Sequence, residues 1–264
     1  GAANYTFTNG NWDTPQTVTL TGVNDAIVDT DTQTLVTISV TDGSSDDNFD
    51  ALADQTVTVT TTDNETAAFT KSETTQTVTE GAGTDTFTLV LGAQPAGDVV
   101  LRVTSADTGE VTVGAADYTF TNGNWDTPQT VTLTGVNDTI VDTNTETTVT
   151  ITVVDASSND EYDNVANQTI TVTTTDNETA AYTKSETART VTEAGGTATF
   201  TLVLNAQPAT DVVLGVVSAD TGEVTVSAAA FTFTTGNWDT PQTVTLTGIN
   251  DDVIDVDTQT TVTI

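Results

Sequence analysis

The sequence predicts an all-β protein made of tandem seven-stranded β-sandwiches arranged as beads on a string. Three observations carry that prediction. Stretches such as Val131-Thr132-Leu133-Thr134 and Thr148-Val149-Thr150-Ile151-Thr152-Val153 alternate apolar and hydroxyl side chains with period two, which places one face of a strand in a core and the other in water. The hexapeptide Asn-Trp-Asp-Thr-Pro-Gln recurs around Trp12, Trp125 and Trp238, each copy 113 residues after the last. Turn formers cut each repeat into short segments, among them Glu80-Gly81-Ala82-Gly83, Gln94-Pro95-Ala96-Gly97 and Asn122-Gly123-Asn124.

A period this long is a whole domain and exceeds the 20 to 50 residues typical of solenoid repeats. Residues 67–179 form one complete unit. Residues 1–66 correspond to 114–179 and form the C-terminal part of a first unit, while 180–264 form the N-terminal part of a third. The end fragments are expected to be completed either by further residues of the same chain or by neighbouring chains in a fibre. Within the complete unit, strands are expected at 68–79, 85–92, 98–113 with a break, 117–121, 128–135, 146–154 and 167–175. The Thr-rich runs supply the solvated strand faces, where a β-branched residue fits the pleat.

The chain carries 38 acids against 4 bases, a net charge of −34. Phosphate recognition needs Lys and Arg, and only Lys71, Arg102, Lys184 and Arg189 are present, so nucleic acid and anionic membrane surfaces are excluded as partners. No run is apolar and long enough for membrane insertion as a helix. Cysteine is absent, which removes disulfides and thiolate zinc sites and leaves a metal as the staple for an extracellular β-domain. Histidine is absent too, and no Ser has a nearby base, so no enzyme is expected; paired carboxylates are better explained as metal ligands.

If successive strands reverse direction, alternate loops gather at opposite poles. One pole then collects Glu80, Asp107, Asp138, Asp142, Asn144, Glu146, Asp176 and Glu178. The other collects the Trp125 hairpin with Asp155, Asp160, Glu161 and Asp163. Two like charges 4 Å apart repel by about 1 kcal/mol in water and by more when desolvated. The unit 67–179 holds 17 acids and 2 bases, so its own cations cannot offset this. Ca2+ can, because it accepts six to eight carboxylate, amide and backbone oxygens at flexible loops, whereas Mg2+ prefers to keep its waters. For an isolated acid, a solvated loop charge is the ordinary role.

The unit resembles the immunoglobulin-like Calx-beta domains and the related tandem repeats of large bacterial surface proteins of adhesin type. The residues that carry the likeness are Val78-Thr79-Glu80-Gly81, Ser105-Ala106-Asp107-Thr108-Gly109, Asp117-Tyr118 and the run from Val136 to Asn144. The resemblance implies calcium ligands at Glu80, Asp107, Asp138, Asp142, Asn144 and Asp176, with Glu178 beside them. The repeat transfers this set to Asp25, Asp29, Asp31, Asp63 and Glu65 in the first unit. In the third it gives Glu193, Asp220, Asp251, Asp255 and Asp257. Asn137, Thr139 and Thr143 interrupt the acidic run that the family often has, which implies fewer ions or weaker binding.

The expected function is an extracellular or cell-surface structural and adhesive array, a stalk, fibre or matrix filament, stiffened by calcium where one unit meets the next. Its partners are neighbouring repeats, copies of itself in a fibre, and a glycan or cell surface. The alternative is a carbohydrate-binding module that uses the loops around Trp125; a Trp that plugs the end of the sandwich is the plainer role. Lys71 and Lys184 are weak candidates for isopeptide bonds.

Overall fold

The computed structural model describes residues 3–251 and 256–264. In the central unit the strands are β1 (Phe69–Lys71), β2 (Thr75–Thr79), β3 (Thr84–Leu91), β4 (Val99–Ser105), β5 (Val111–Val113), β6 (Asp117–Phe120), β7 (Gln129–Gly135), β8 (Thr145–Val153) and β9 (Gln168–Thr175). They build two facing sheets, a five-stranded one in the order β6-β4-β8-β9-β2 and a four-stranded one in the order β1-β3-β7-β5. Every pairing is antiparallel except β2 with β9. The protein is therefore all-β, with a β-sandwich at its centre.

Alternation explains the layering. On β7, Val131 and Leu133 are fully buried while the intervening Thr residues point outward; Val149 and Ile151 of β8 and Ile170 and Val172 of β9 do the same from the facing sheet. Phe87, Leu89, Leu101 and Phe120 complete this core. Removing each such side chain from water stabilises the unit by about 1.5–3 kcal/mol before the entropic costs of folding.

Two segments expected as single strands divide between the sheets. The segment 68–79 leaves the four-stranded sheet after Lys71, bends at Ser72, and joins the five-stranded sheet as β2. Ser72 fixes the bend by donating its N–H to Thr88 O at 3.0 Å and accepting the Thr88 N–H on its hydroxyl at 2.9 Å. The break expected within 98–113 is likewise a change of sheet. Between β4 and β5, Asp107 Oδ1 accepts the Gly109 N–H at 2.8 Å, and the Ser105 hydroxyl donates to Asp107 O at 2.8 Å. Gly135, at the end of β7, passes so close to the end of β2 that a Cβ there would lie 2.4 Å from Thr79 O.

The flanking units are described only in part by the same pattern. Residues 32–38 and 55–61 pair as an antiparallel hairpin. Leu35, Ile38 and Val57 of that hairpin are exposed, whereas Ile151 and Ile170, the repeat equivalents of Ile38 and Val57, are fully buried. In the third unit Tyr182–Lys184, Thr197–Leu204, Gln242–Gly248 and Val224–Val226 repeat the four-stranded sheet. The residues equivalent to β2, 188–192, form no strand among the described residues.

Successive units touch in the same way at both junctions. Ile27–Val28 pairs in parallel with Gln94–Pro95, and Ile140–Val141 pairs in parallel with Gln207–Pro208. Val28 is 4% exposed and belongs to the core cluster of the central unit. Among the described residues no helix is long and apolar enough to cross a membrane.

Candidate metal centre

Glu80 follows β2 directly, and its placement depends on the β2–β9 pairing. Its N–H continues that ladder by donating to Thr175 O at 3.1 Å. The chain then turns through Gly81 at φ 71° and Ala82 at φ 76°, left-handed backbone that glycine adopts without a Cβ penalty. A Cβ on Gly81 would also lie 2.8 Å from Asn177 Nδ2. The turn presses the Glu80 side chain into the end of the sandwich, where it is 7% exposed and Oε2 has no hydrogen-bond partner. A buried carboxylate oxygen left unpaired costs free energy, and such a group calls for a ligand.

Two sets of carboxylates meet at that oxygen's end of the domain. Glu80 with Asp142 and Asp176 forms one, and Glu80 with Asp138 and Glu178 the other; within each set the ligand oxygens lie within 4.8 Å of one another. The loop after β7 supplies Asp138 and Asp142, and the exit of β9 supplies Asp176 and Glu178. Asp138 Oδ1 accepts the Ile140 N–H at 2.6 Å. Asp176 spans both loops, accepting Glu178 N–H on Oδ1 at 2.9 Å and Asp142 N–H on Oδ2 at 3.2 Å.

Electrostatics mark the same pole. Burial raises the Glu80 carboxyl above its usual range, and the charges of Asp138, Asp176 and Asp142 raise it further against the opposing Asp138 N–H. Glu178 is pushed up to about 7, by desolvation first and then by its hydrogen bond to Asp176 and the Glu80 charge. Its Oε2 is also buried without a partner. Asp142 is raised by desolvation and by Asp138 and Asp176, whereas Asp176 is lowered, chiefly by the Glu178 N–H. The two salt bridges of the described residues, Arg102–Asp117 and Arg189–Glu186, involve none of these acids.

Of the expected ligands, Glu80, Asp138, Asp142, Asp176 and Glu178 therefore converge. Asp107 does not enter either set; its carboxylate caps its own turn. Asn144 supports the cluster through the backbone, its Oδ1 accepting the Asp176 N–H at 3.4 Å. Glu110 was not among the expected residues. Its carbonyl accepts the Val136 N–H at 2.9 Å, beside the loop that carries Asp138 and Asp142, and burial and the charges of Asp142, Asp107 and Asp138 raise its carboxyl. Its signal in the sequence is the recurrence of an acid at Glu223, one repeat later.

The first unit repeats the loop network. Asp29 N–H donates to Asp63 Oδ2 at 3.2 Å, Asp63 N–H to Asp31 Oδ1 at 3.0 Å, Glu65 N–H to Asp63 Oδ1 at 3.3 Å, and Ile27 N–H to Asp25 Oδ1 at 2.9 Å. In the third unit Glu193 is exposed, Asp220 caps the Gly222 N–H at 2.9 Å as Asp107 caps Gly109, Asp257 is exposed, and Asp251 is exposed while engaged in an interaction. Asp255 lies outside the described residues.

At the opposite pole, Tyr162 is fully buried and donates its hydroxyl to Ala93 O at 2.6 Å, and burial pushes its phenol up to about 12. Asp163 is raised by burial and by Asp155, Asp160 and Glu161, but the acids between β8 and β9 form no carboxylate set of the Glu80 kind among the described residues. Trp125 is half-buried against the central core, and Trp238 packs against the third unit's core in the same manner.

The donor set fits a hard divalent cation: all-oxygen, anionic, drawn from three loops, and sharing the buried Glu80, whose Oε2 has no partner. No protein family matches the sequence, and no curated protein does. Solved structures similar to the chain include domains 4 and 5 of the S-layer protein SbsC, at 20% identity and a TM-score of 0.34 over 55% of this chain and 58% of that one. They also include the apo form of the Calx CBD1 domain, at 13% identity and 0.34, covering 43% of this chain and all of that one. The CBD12 pair from CALX1.2 matches at 11% identity and 0.33, covering 71% and 77%. The chain spans only about three fifths of the S-layer fragment, and scores at this level give these likenesses no weight beside the sheets and the site themselves.

Proposed function

We propose that the chain is part of an extracellular structural and adhesive array, a stalk, fibre or matrix filament of 113-residue β-sandwich units, in which calcium bound at the acidic pole stiffens each junction. The single observation that carries this reading is the buried Glu80 carboxylate, shared by two carboxylate sets and with its Oε2 unpartnered. Glu80, Asp138, Asp142, Asp176 and Glu178 would hold the ion, with Glu110 beside them. A bound divalent ion supplies the positive charge that the pole lacks. The residues themselves do the rest: Gly81 permits the turn, β9 covers Glu80, and Asp176 ties two loops together through backbone N–H groups. The loop that carries Asp138 and Asp142 also makes the contact with the next unit, so an ion there acts where flexibility between beads is decided. The role is architectural, not catalytic, with neighbouring repeats, further copies of the chain and a cell surface as partners.

Calcium that binds the folded state alone stabilises it by mass action, about 2.7 kcal/mol at a hundredfold excess over Kd. Melting followed by calorimetry is expected to give a higher transition in millimolar calcium than in excess chelator. Superimposable curves would overturn the reading.

A further inference from the structure

The junction contact and two ligands of the metal centre lie on one five-residue stretch, 138–142. Asp138 and Asp142 bracket Ile140–Val141, the dipeptide that pairs in parallel with Gln207–Pro208 of the following unit. Thr139 lies between them and is held from the other side: its carbonyl accepts the Gln207 N–H at 3.0 Å, and its hydroxyl donates to Gln207 Oε1 at 2.7 Å. Gln207 is anchored in its own unit, with Nε2 donating to Thr235 O at 3.0 Å, and Pro208 is buried. Within the loop, the N–H of Ile140 is bound by the Asp138 carboxylate and the N–H of Asp142 by Asp176. The ligand carboxylates of Asp138 and Asp142 thus bracket the three residues that clip onto the next unit, so ordering one group helps to order the other.

Resting on the cation reading of the pole, we infer that the cation affinity of each unit is set by the unit that follows it. A flexible loop of exposed Asp138, Thr139 and Asp142 must be ordered before its carboxylates can converge on Glu80. Docking on Gln207–Pro208 does that ordering in advance, so the ion meets a prepared site. Thermodynamic reciprocity makes the coupling run both ways: an ion at Glu80 tightens the clip onto the third unit by the same factor. The register of the clip is repeated at the first junction, where Ile27–Val28 sits on Gln94–Pro95 between Asp25 and Asp29. There Ala26 stands in place of Thr139, so the hydroxyl contact is missing and the coupling is weaker. In an array, a site followed by a docked neighbour fills at lower calcium than a site with none.

The test uses the 264-residue chain and calcium alone, followed by the backbone amide shifts of Gly81 and Asp142. Gln207→Ala removes the side-chain partner of Thr139, and Gln207→Pro also removes the N–H that Thr139 O accepts. Both are expected to weaken calcium binding at these amides, by about tenfold for the proline variant, a middling allosteric coupling. Gln94→Ala, at the other junction, leaves them unchanged. In the parent chain, calcium is expected to slow hydrogen exchange of the Gln207 amide, and Glu80→Gln to abolish that slowing. Unchanged affinity in both Gln207 variants overturns the inference. If the amides of the parent do not respond to calcium at all, the cation reading itself fails, a result distinguishable from the first.

Discussion

The central unit and the third contain nearly the same β2 segment and turn, yet among the described residues only the central one gathers a carboxylate set. In the central unit Thr75–Thr79 is a strand, and Glu80 behind it is 7% exposed. In the third, residues 188–192 form no strand among those described, and Glu193 is exposed. The difference is the partner: β2 is held by a parallel ladder to β9, from Thr75 opposite Thr171 to Thr79 opposite Thr175. A residue's burial and its neighbouring charges here are properties of a strand almost a hundred positions away, so the centre is made by closure of the sandwich and not by the Glu-bearing turn itself.

The most severe way to break the contrast is to spoil β9. Val172→Asp places an unpaired carboxylate at a fully buried position, a class of change that costs several kcal/mol. The central unit is then expected to resemble the third, with its cooperative transition lost by calorimetry and calcium binding at Gly81 abolished. Glu80→Gln sharpens the contrast more gently. It removes a buried charge surrounded by like charges, so the cation-free protein should melt no lower than the parent, while the gain in melting temperature on adding calcium largely disappears. Glu193→Gln, on the exposed counterpart, should alter neither quantity.

Acidity gives a third test. Because the Glu178 carboxyl titrates near 7 in the folded state, against about 4.3 when unperturbed, the folded chain takes up a proton across that window that the unfolded chain does not. Cation-free stability therefore falls as pH rises from about 4.3 to 7, and Glu80, raised as well, acts in the same direction. Thermal melts in chelator should rise as pH drops from 8 to 5, and the trend should flatten in Glu178→Gln. The smallest effect is expected at the surface. Arg102 clasps Asp117 through Nε and Nη2 at 2.7 and 2.8 Å, and the third unit has Gly215 and Ala230 at these positions. Both side chains are over 40% exposed and screened by solvent, so Arg102→Ala should leave the midpoint of a denaturant titration nearly unchanged.

Much of this was legible in the residues. Strands expected at 128–135, 146–154 and 167–175 match Gln129–Gly135, Thr145–Val153 and Gln168–Thr175, because strict alternation reports one-sided burial directly. Alternation does not report which sheet a strand joins. Between Phe69 and Val78 the segment has no apolar residue, so the change of inward-facing parity across Ser72, which accompanies the transfer of β2 to the other sheet, could not be read as alternation. Parity of strand direction correctly gathered Glu80, Asp138, Asp142, Asp176 and Glu178 at one pole. It could not say that Asp107 would turn back on Gly109 while Glu110 faced the cluster, since tight-turn hydrogen bonds decide that over a span of three residues.

Val28 belongs to one bead by sequence and to the next by burial. A hydrophobic interior that borrows a side chain from upstream is not sealed within its own boundaries. Melting of one bead withdraws that plug and uncovers apolar surface in its downstream neighbour, so damage in such a string is expected to spread in one direction, as in a row of nearest-neighbour-coupled units. Tensile load would likewise be passed along through interlocked interiors, and not through the connecting peptide alone.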